Sequence, residues 1–224
     1  MMKKLIYLFG LSVALLMSSC SQDDEITYSC NEEVNNFIVE NLGEIKKMTR
    51  SEWLNSEEEM KNPIFGAFSP KQKIEFWREK LAETLLLDWN ELEKEHIHKM
   101  LEFVENPDNF IYFSTRESKS EEEIERFEIF MYKWTEYAYD VLKWNKLQIG
   151  AIVASGNRLV DTKGKVLVNN VKRVKSVSES KCNCNTSIIG DFCSGSTTCE
   201  TTNCIEQNYC GLLLLQKCNG ECRL

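Results

Sequence analysis

Apolar residues between positions 32 and 147 recur at steps of three and four, the spacing of one face of a helix. Val34, Phe37, Ile38, Leu42 and Ile45 form the first such stripe. Ser69-Pro70 predicts a helix start, since serine caps and proline in the first turn loses no needed hydrogen bond. Ile74, Trp77, Leu81 and Leu85 follow on one face. The pattern resumes with Trp89, Leu92, Ile97, Met100, Leu101 and Val104 and stops near Asn106-Pro107. Ser120-Glu121-Glu122-Glu123 reads as a capping box, with its acids well placed for the helix dipole. The long helix behind it carries Ile124, Phe127, Met131, Trp134, Ala138, Val141, Leu142 and Leu147. The spacing predicts a mainly α fold, four or five helices packed as an irregular bundle over residues 31–150. Trp53, Trp77, Trp89, Trp134 and Trp144 read as core or groove residues.

The pattern changes after Gly150. Ile149 to Ala154 is a short apolar run, a strand or a helix end, and Asp161 to Val168 reads as a turn entering a strand. Residues 156–181 hold seven Lys/Arg against two Asp/Glu, a balance of +5, beside a body over 31–150 with 16 Lys/Arg against 26 Asp/Glu, a balance of −10. This connector, residues 151–181, has three readings. It docks electrostatically on the acidic helices, it is processed at Lys172-Arg173 by a basic-specific protease, or it is a plain tether.

Cysteine placement divides the chain more sharply. Cys20 and Cys30 are early, the next 151 residues hold none, and eight cysteines fall in the 41 residues from Cys182 to Cys222. A unit of that size, residues 182–224, buries too little apolar surface to fold on burial alone and needs staples. Cys182, Cys184, Cys193, Cys199, Cys204, Cys210, Cys218 and Cys222 would form four disulfides, in one of 105 pairings that spacing does not select. Zinc is the rival for close-spaced cysteines. No C-x2-C knuckle and no nearby histidine accompanies them, so no metal is expected. Leu212, Leu213, Leu214 and Leu215 fall in a loop or a strand between Cys210 and Cys218. In a strand, alternate leucines would point opposite ways, about two inward and two out. The outward pair would be a contact surface for the helical body, a target membrane or a target protein.

The start of the chain bears on redox state. Lys3 and Lys4 precede an apolar run from Leu5 to Met17, the pattern of a signal peptide with a core too short to span a membrane. It ends in Leu-Met-Ser-Ser-Cys, similar to a bacterial lipobox, which would make residues 1–19 a leader and Cys20 the lipidated residue. More than one acyl chain would anchor the protein stably to the outer membrane. Residues 20–30 are an acidic tether, whose Ser21-Gln22-Asp23-Asp24-Glu25 is similar to a surface-export signal. An exported chain carries its cysteines where disulfides persist. Cys30 is then the odd thiol, linking two chains, displacing a partner in the tail, or idle.

Charge and motif content narrow the function. The formal net charge is −8, which argues against nucleic acid as a partner. His96 and His98 are two residues apart and so lie on different helix faces, unlike an i, i+4 ligand pair. Together with Glu93 and Glu95 they read as charged positions on an exposed face rather than a catalytic cluster. No phosphate loop, serine elbow or zincin helix is present, so no catalytic residue and no cofactor is assigned.

The tail resembles the bacteriocin fulvocin C-related proteins. The resemblance rests on Cys182-Asn183-Cys184, Asp191-Phe192-Cys193-Ser194, Cys210-Gly211 before an apolar stretch, and Cys218-Asn219-Gly220-Glu221-Cys222. In the body, Asn41-Leu42, Met48-Thr49-Arg50, Trp53 and Phe76-Trp77-Arg78-Glu79-Lys80 are similar to that family's N-terminal region. The resemblance implies an exported precursor whose C-terminal module corresponds to a disulfide-stabilised antibacterial peptide acting on a competitor cell envelope. The other reading is a surface-displayed interaction module that kills nothing. Residues 182–224 carry two basic and four acidic residues, so the module has little general attraction for anionic lipid.

Overall fold

The computed structural model describes residues 27–29, 31–114, 119–167, 182, 184–186, 193, 198–203 and 207–223. Cys20, Cys30, Lys172, Arg173 and Cys204 lie outside them, as do the leader, most of the tether and the basic end of the connector.

The chain is mainly α, an irregular helical bundle followed by a small disulfide-rich C-terminal module. Eight α-helices occur among the described residues: α1 (Glu32–Glu40), α2 (Leu42–Ile45), α3 (Arg50–Leu54), α4 (Glu58–Ala67), α5 (Pro70–Thr84), α6 (Glu91–Glu105), α7 (Glu121–Asp140) and α8 (Lys146–Val153). A 3₁₀ segment, Pro107–Phe113, links α6 to the start of α7. None is long and apolar enough to cross a membrane.

There are more helices than the four or five predicted because short polar breaks cut the stripes. Asn41 separates α1 from α2, and its side-chain amide donates back to Phe37 O. Thr49 opens α3 with a capping box to Glu52. The same reciprocal bonds join Ser69 to Gln72, Asn90 to Glu93, Ser120 to Glu123 and Asn145 to Gln148. The predicted starts at Ser69-Pro70 and Ser120 are therefore where α5 and α7 begin. α7 ends earlier than its stripe suggested. Val141 is exposed at its C-cap, Lys143 turns left-handed (φ 58°), and Leu147 belongs to α8.

One core runs through the bundle. It takes Ile38 from α1, Ile64 and Phe65 from α4, Phe76, Trp77 and Leu81 from α5, Ile97, Met100 and Val104 from α6, and Met131, Trp134 and Ala138 from α7. All five tryptophans are buried in it, which leaves no indole face open for stacking on a sugar. The apolar run after Gly150 is the end of α8, and Ala151, Ile152 and Val153 are fully buried. The folded body thus extends past residue 150, through a two-stranded hairpin, β1 (Arg158–Leu159) with β2 (Val166–Leu167). Its turn is closed by Asp161, whose carboxylate accepts from the Lys163 and Lys165 amides.

The C-terminal module is built from two antiparallel pairs, β3 (Thr198–Glu200) with β6 (Glu221–Arg223) and β4 (Gln207–Cys210) with β5 (Gln216–Cys218). Disulfides join Cys184 to Cys199, Cys193 to Cys222 and Cys210 to Cys218, and Cys182 is also disulfide-bonded. Cys184 Sγ, Cys193 Sγ and Cys199 Sγ lie within 4.8 Å of one another, but these bonds commit all three.

Removing the Ser120 hydroxyl leaves one end of the longest helix without its reciprocal cap. Ser120→Ala should lower unfolding free energy by about 1 kcal/mol, read by urea denaturation.

Candidate functional site: the leucine turn and its socket

The four leucines do not form a strand. A disulfide holds the Cys210 and Cys218 Cα atoms 5.1 Å apart. Eight residues of extended chain would carry them roughly 26 Å apart, so the segment must reverse. It does so in a 3₁₀ turn, Leu212–Leu214. Gly211 enters it at φ 65°, ψ −154°, a conformation open to glycine. Leu213 (φ 52°) and Leu214 (φ 54°) are left-handed, and so is Tyr209 (φ 73°) just before the turn. Left-handed backbone costs a leucine about 1–2 kcal/mol. Two amides close the turn on itself, Leu214 N donating to Gly211 O (3.1 Å) and Leu215 N to Leu212 O (3.1 Å). The Leu212 amide donates to Gln216 Oε1 (3.0 Å).

The alternation expected of a strand is absent too. Leu212, Leu213 and Leu214 are 1%, 0% and 5% exposed, and Leu215 is half-buried. The three belong to the core of the helical body. Burial of each leucine contributes about 1.5–3 kcal/mol, which outweighs the backbone strain. The contact is also directional, because Trp77 Nε1–H donates to the Leu213 carbonyl at 2.8 Å. That bond satisfies two groups that would otherwise be buried unpaired. The contact surface predicted at Leu212 to Leu215 is thus turned onto the body.

A second contact flanks the turn. Tyr209, at the end of β4, lays its ring over Gly66 of α4, where an ideal Cβ would stand 2.7 Å from Tyr209 Cδ2. Phe65 meets the same ring edge-on, with centroids 6.2 Å apart. Lys73 of α5 places Nζ 5.0 Å from the Tyr209 ring centre and 5.6 Å from that of Phe65. Burial, with Lys119 adding repulsion, lowers the Lys73 pKa to about 8.

A buried charged cluster lies further along the same face of α5. It pins the loop that follows α8. Arg50 donates Nε and Nη2 to Gly156 O (3.2 and 3.1 Å) and pairs through Nη1 with Glu83 (2.7 Å). Lys80 Nζ donates to Asn157 O (2.6 Å), and Lys61 Nζ donates to Asn157 Oδ1 and Glu58 (both 2.9 Å). Arg158 also pairs with Glu83. Burial, with Arg50 adding repulsion, lowers the Lys80 pKa to about 7. Trp53 and Phe76 close over Gly156, where a Cβ would stand 2.6 Å from Trp53 Cη2.

The pattern reading missed these cations, although a signal was available. Lys73 and Lys80 are seven residues apart, two helical turns, and both share the buried face of α5 with Phe76, Trp77, Leu81 and Thr84. Five of the eleven body residues on which the resemblance rests gather here. Arg50, Trp53, Phe76, Trp77 and Lys80 are all buried around the loop or the turn.

His96 is buried, not on an exposed face. Its ring stacks on Trp134 (4.4 Å between centroids) and Tyr137 (4.8 Å). Nε2–H donates to Trp134 O (3.0 Å), and the Trp134 indole donates back to His96 O (3.0 Å). That bond places the proton on Nε2, and burial lowers the ring's pKa to about 4. His98 is exposed, and Glu93 is held by the Trp144 indole and the Asn90 amide. Beside the leucine turn, Tyr112, Ile124, Phe127, Leu215 and Gln216 line a cleft of about 40 Å³, room for a water but not for a substrate. No protein-family model, curated protein or solved structure matches the chain.

Glycine to alanine inside a helix ordinarily stabilises by about 0.5–1 kcal/mol. Gly66→Ala should instead destabilise by about 1–3 kcal/mol, because the new methyl displaces Tyr209. Tyr209→Ala should relieve that penalty in a double-mutant cycle; additive effects would show that the ring and the glycine are not in contact. Lys73 and Lys80 set a pH dependence. Both release their protons in the folded chain, near 8 and near 7, before they do in the unfolded chain, near 10.5. Stability should therefore rise with pH across that window, by up to about 1.4 kcal/mol per unit for each lysine. Melting temperatures from pH 7 to 9.5 should climb, and Lys80→Met should flatten the climb.

Proposed function

We propose that the protein is an exported, lipid-anchored bacterial protein of the bacteriocin-precursor kind, in which the helical body keeps the apolar turn of an antibacterial-peptide-like module masked. The observation that carries this reading is the burial of Leu212 to Leu214 in the body's core, capped by the Trp77–Leu213 bond. An apolar turn held rigid by a disulfide is a ready contact for an envelope or a receptor. While it stays docked on the body, it is not available for that contact. The eight-cysteine tail and its resemblance to fulvocin C-related proteins supply the antibacterial side. The leader and Cys20 supply export and anchoring to the outer membrane. The module's balance of two basic and four acidic residues favours a protein receptor over general attraction to anionic lipid.

A second reading is an interaction module without killing activity. It is favoured by the β3–β6 pair, where Thr198, Glu200 and Arg223 remain exposed while the leucine turn is docked. That face is open to a partner in the intact protein.

The two readings separate on release. Intact protein and the oxidised 182–224 fragment should be applied to related strains at micromolar concentration. The masked-module reading expects inhibition by the fragment and at least tenfold weaker inhibition by the intact chain. Equal silence from both leaves the interaction reading.

A further inference from the structure

We infer that the helical body is itself a specific receptor for the leucine turn, so that cutting the connector does not free the module. The body would retain it without a covalent link, and would capture the same turn from a second copy of this chain.

The socket is made wholly by the body and the plug wholly by the tail. Trp77 supplies the indole donor, and Gly66, Phe65 and Lys73 supply the seat for Tyr209. Leu212, Leu213, Leu214 and Tyr209 fill them. No disulfide among the described residues crosses from the module to the helices, since Cys184–Cys199, Cys193–Cys222 and Cys210–Cys218 all lie within the module. Residues 31–181 hold no cysteine, so with Cys20 and Cys30 replaced by serine retention would rest on this contact rather than on a cross-link.

Affinity after cutting depends on how much order the plug must regain. It would have little to regain. Tyr209, Gly211, Leu213 and Leu214 all hold positive φ, a shape that a free chain seldom visits. The Cys210–Cys218 disulfide and the Leu212–Gln216 bond hold that shape inside the module itself. The socket rewards the same shape, because the Leu213 carbonyl meets Trp77 with the turn left-handed at that residue. The inference shares with the proposed function the separation of module from body, but it does not depend on killing.

A site-specific protease sequence placed across residues 172–178 of the full chain, carrying Cys20→Ser and Cys30→Ser, allows the test. After cutting in oxidising buffer, native mass spectrometry and gel filtration at micromolar concentration should find body and tail together at one to one. Mixing with isotopically heavy cut protein should then yield hybrids of heavy body and light tail. Leu213→Ser should raise the dissociation constant of the cut pair by about a hundredfold or more. If that variant does not fold, Trp77→Phe removes only the indole donor and should raise it about five- to tenfold. Wild-type fragments that separate while the body stays folded would overturn the inference, as would substitutions that leave retention unchanged. Growth assays on the isolated tail report on the other proposal independently. A tail that binds the body but inhibits nothing defeats the antibacterial reading alone. A tail that inhibits growth but leaves the body on cutting defeats this one alone.

Discussion

Trp77 and Leu213 meet across 136 residues of chain, and the rest of the arrangement is built around that meeting. Trp77 sits at the centre of α5, fully buried, with Phe76 edge-on beside it at 5.7 Å. An indole N–H in such a place must find an acceptor. In most cores the acceptor is a nearby helix carbonyl, as Thr84 O is for Trp89 here. For Trp77 it is the carbonyl of a disulfide-closed turn. The bundle therefore uses the module as structure, and the module uses the bundle to cover an apolar segment that its small interior cannot hold.

The cation cluster does related work without the tail. α8 ends at Val153, and the chain must then leave the core with polar backbone groups still buried. Gly156 O and Asn157 O take their hydrogen bonds from Arg50 and Lys80, and Glu83 partly balances the charge through Arg50 and Arg158. Such groups are expensive to bury, and removing one partner leaves the others exposed to the full cost of desolvation. α5 thus carries two attachments on its buried face, one to the loop after α8 and one to the leucine turn.

Much of this was legible in the order of residues, for reasons that can be named. Helix starts were clear where a polar cap precedes a partner three residues on, as at Ser69 with Gln72 and Ser120 with Glu123, because that chemistry is local. The tryptophans read as core because an indole rarely stays in water. The module's dependence on disulfides followed from its size alone. What stayed hidden was long-range. Lys80 looks like surface until one knows that Asn157 lies opposite, 77 residues away. His96 looks exposed until Trp134 and Tyr137 close over it from another helix. The leucines read equally as a loop or a strand because a run of four has no period to tell them apart, and spacing alone does not say that Cys210 pairs with Cys218.

The left-handed turn also dictates an order of events in folding. The core around Trp77 lacks three of its leucines until residue 214 has been made. The disulfide that closes their turn forms when Cys210 and Cys218 have lost their thiol hydrogens to an oxidant. Completion of the core is thereby tied to the oxidation that closes the Cys210–Cys218 pair.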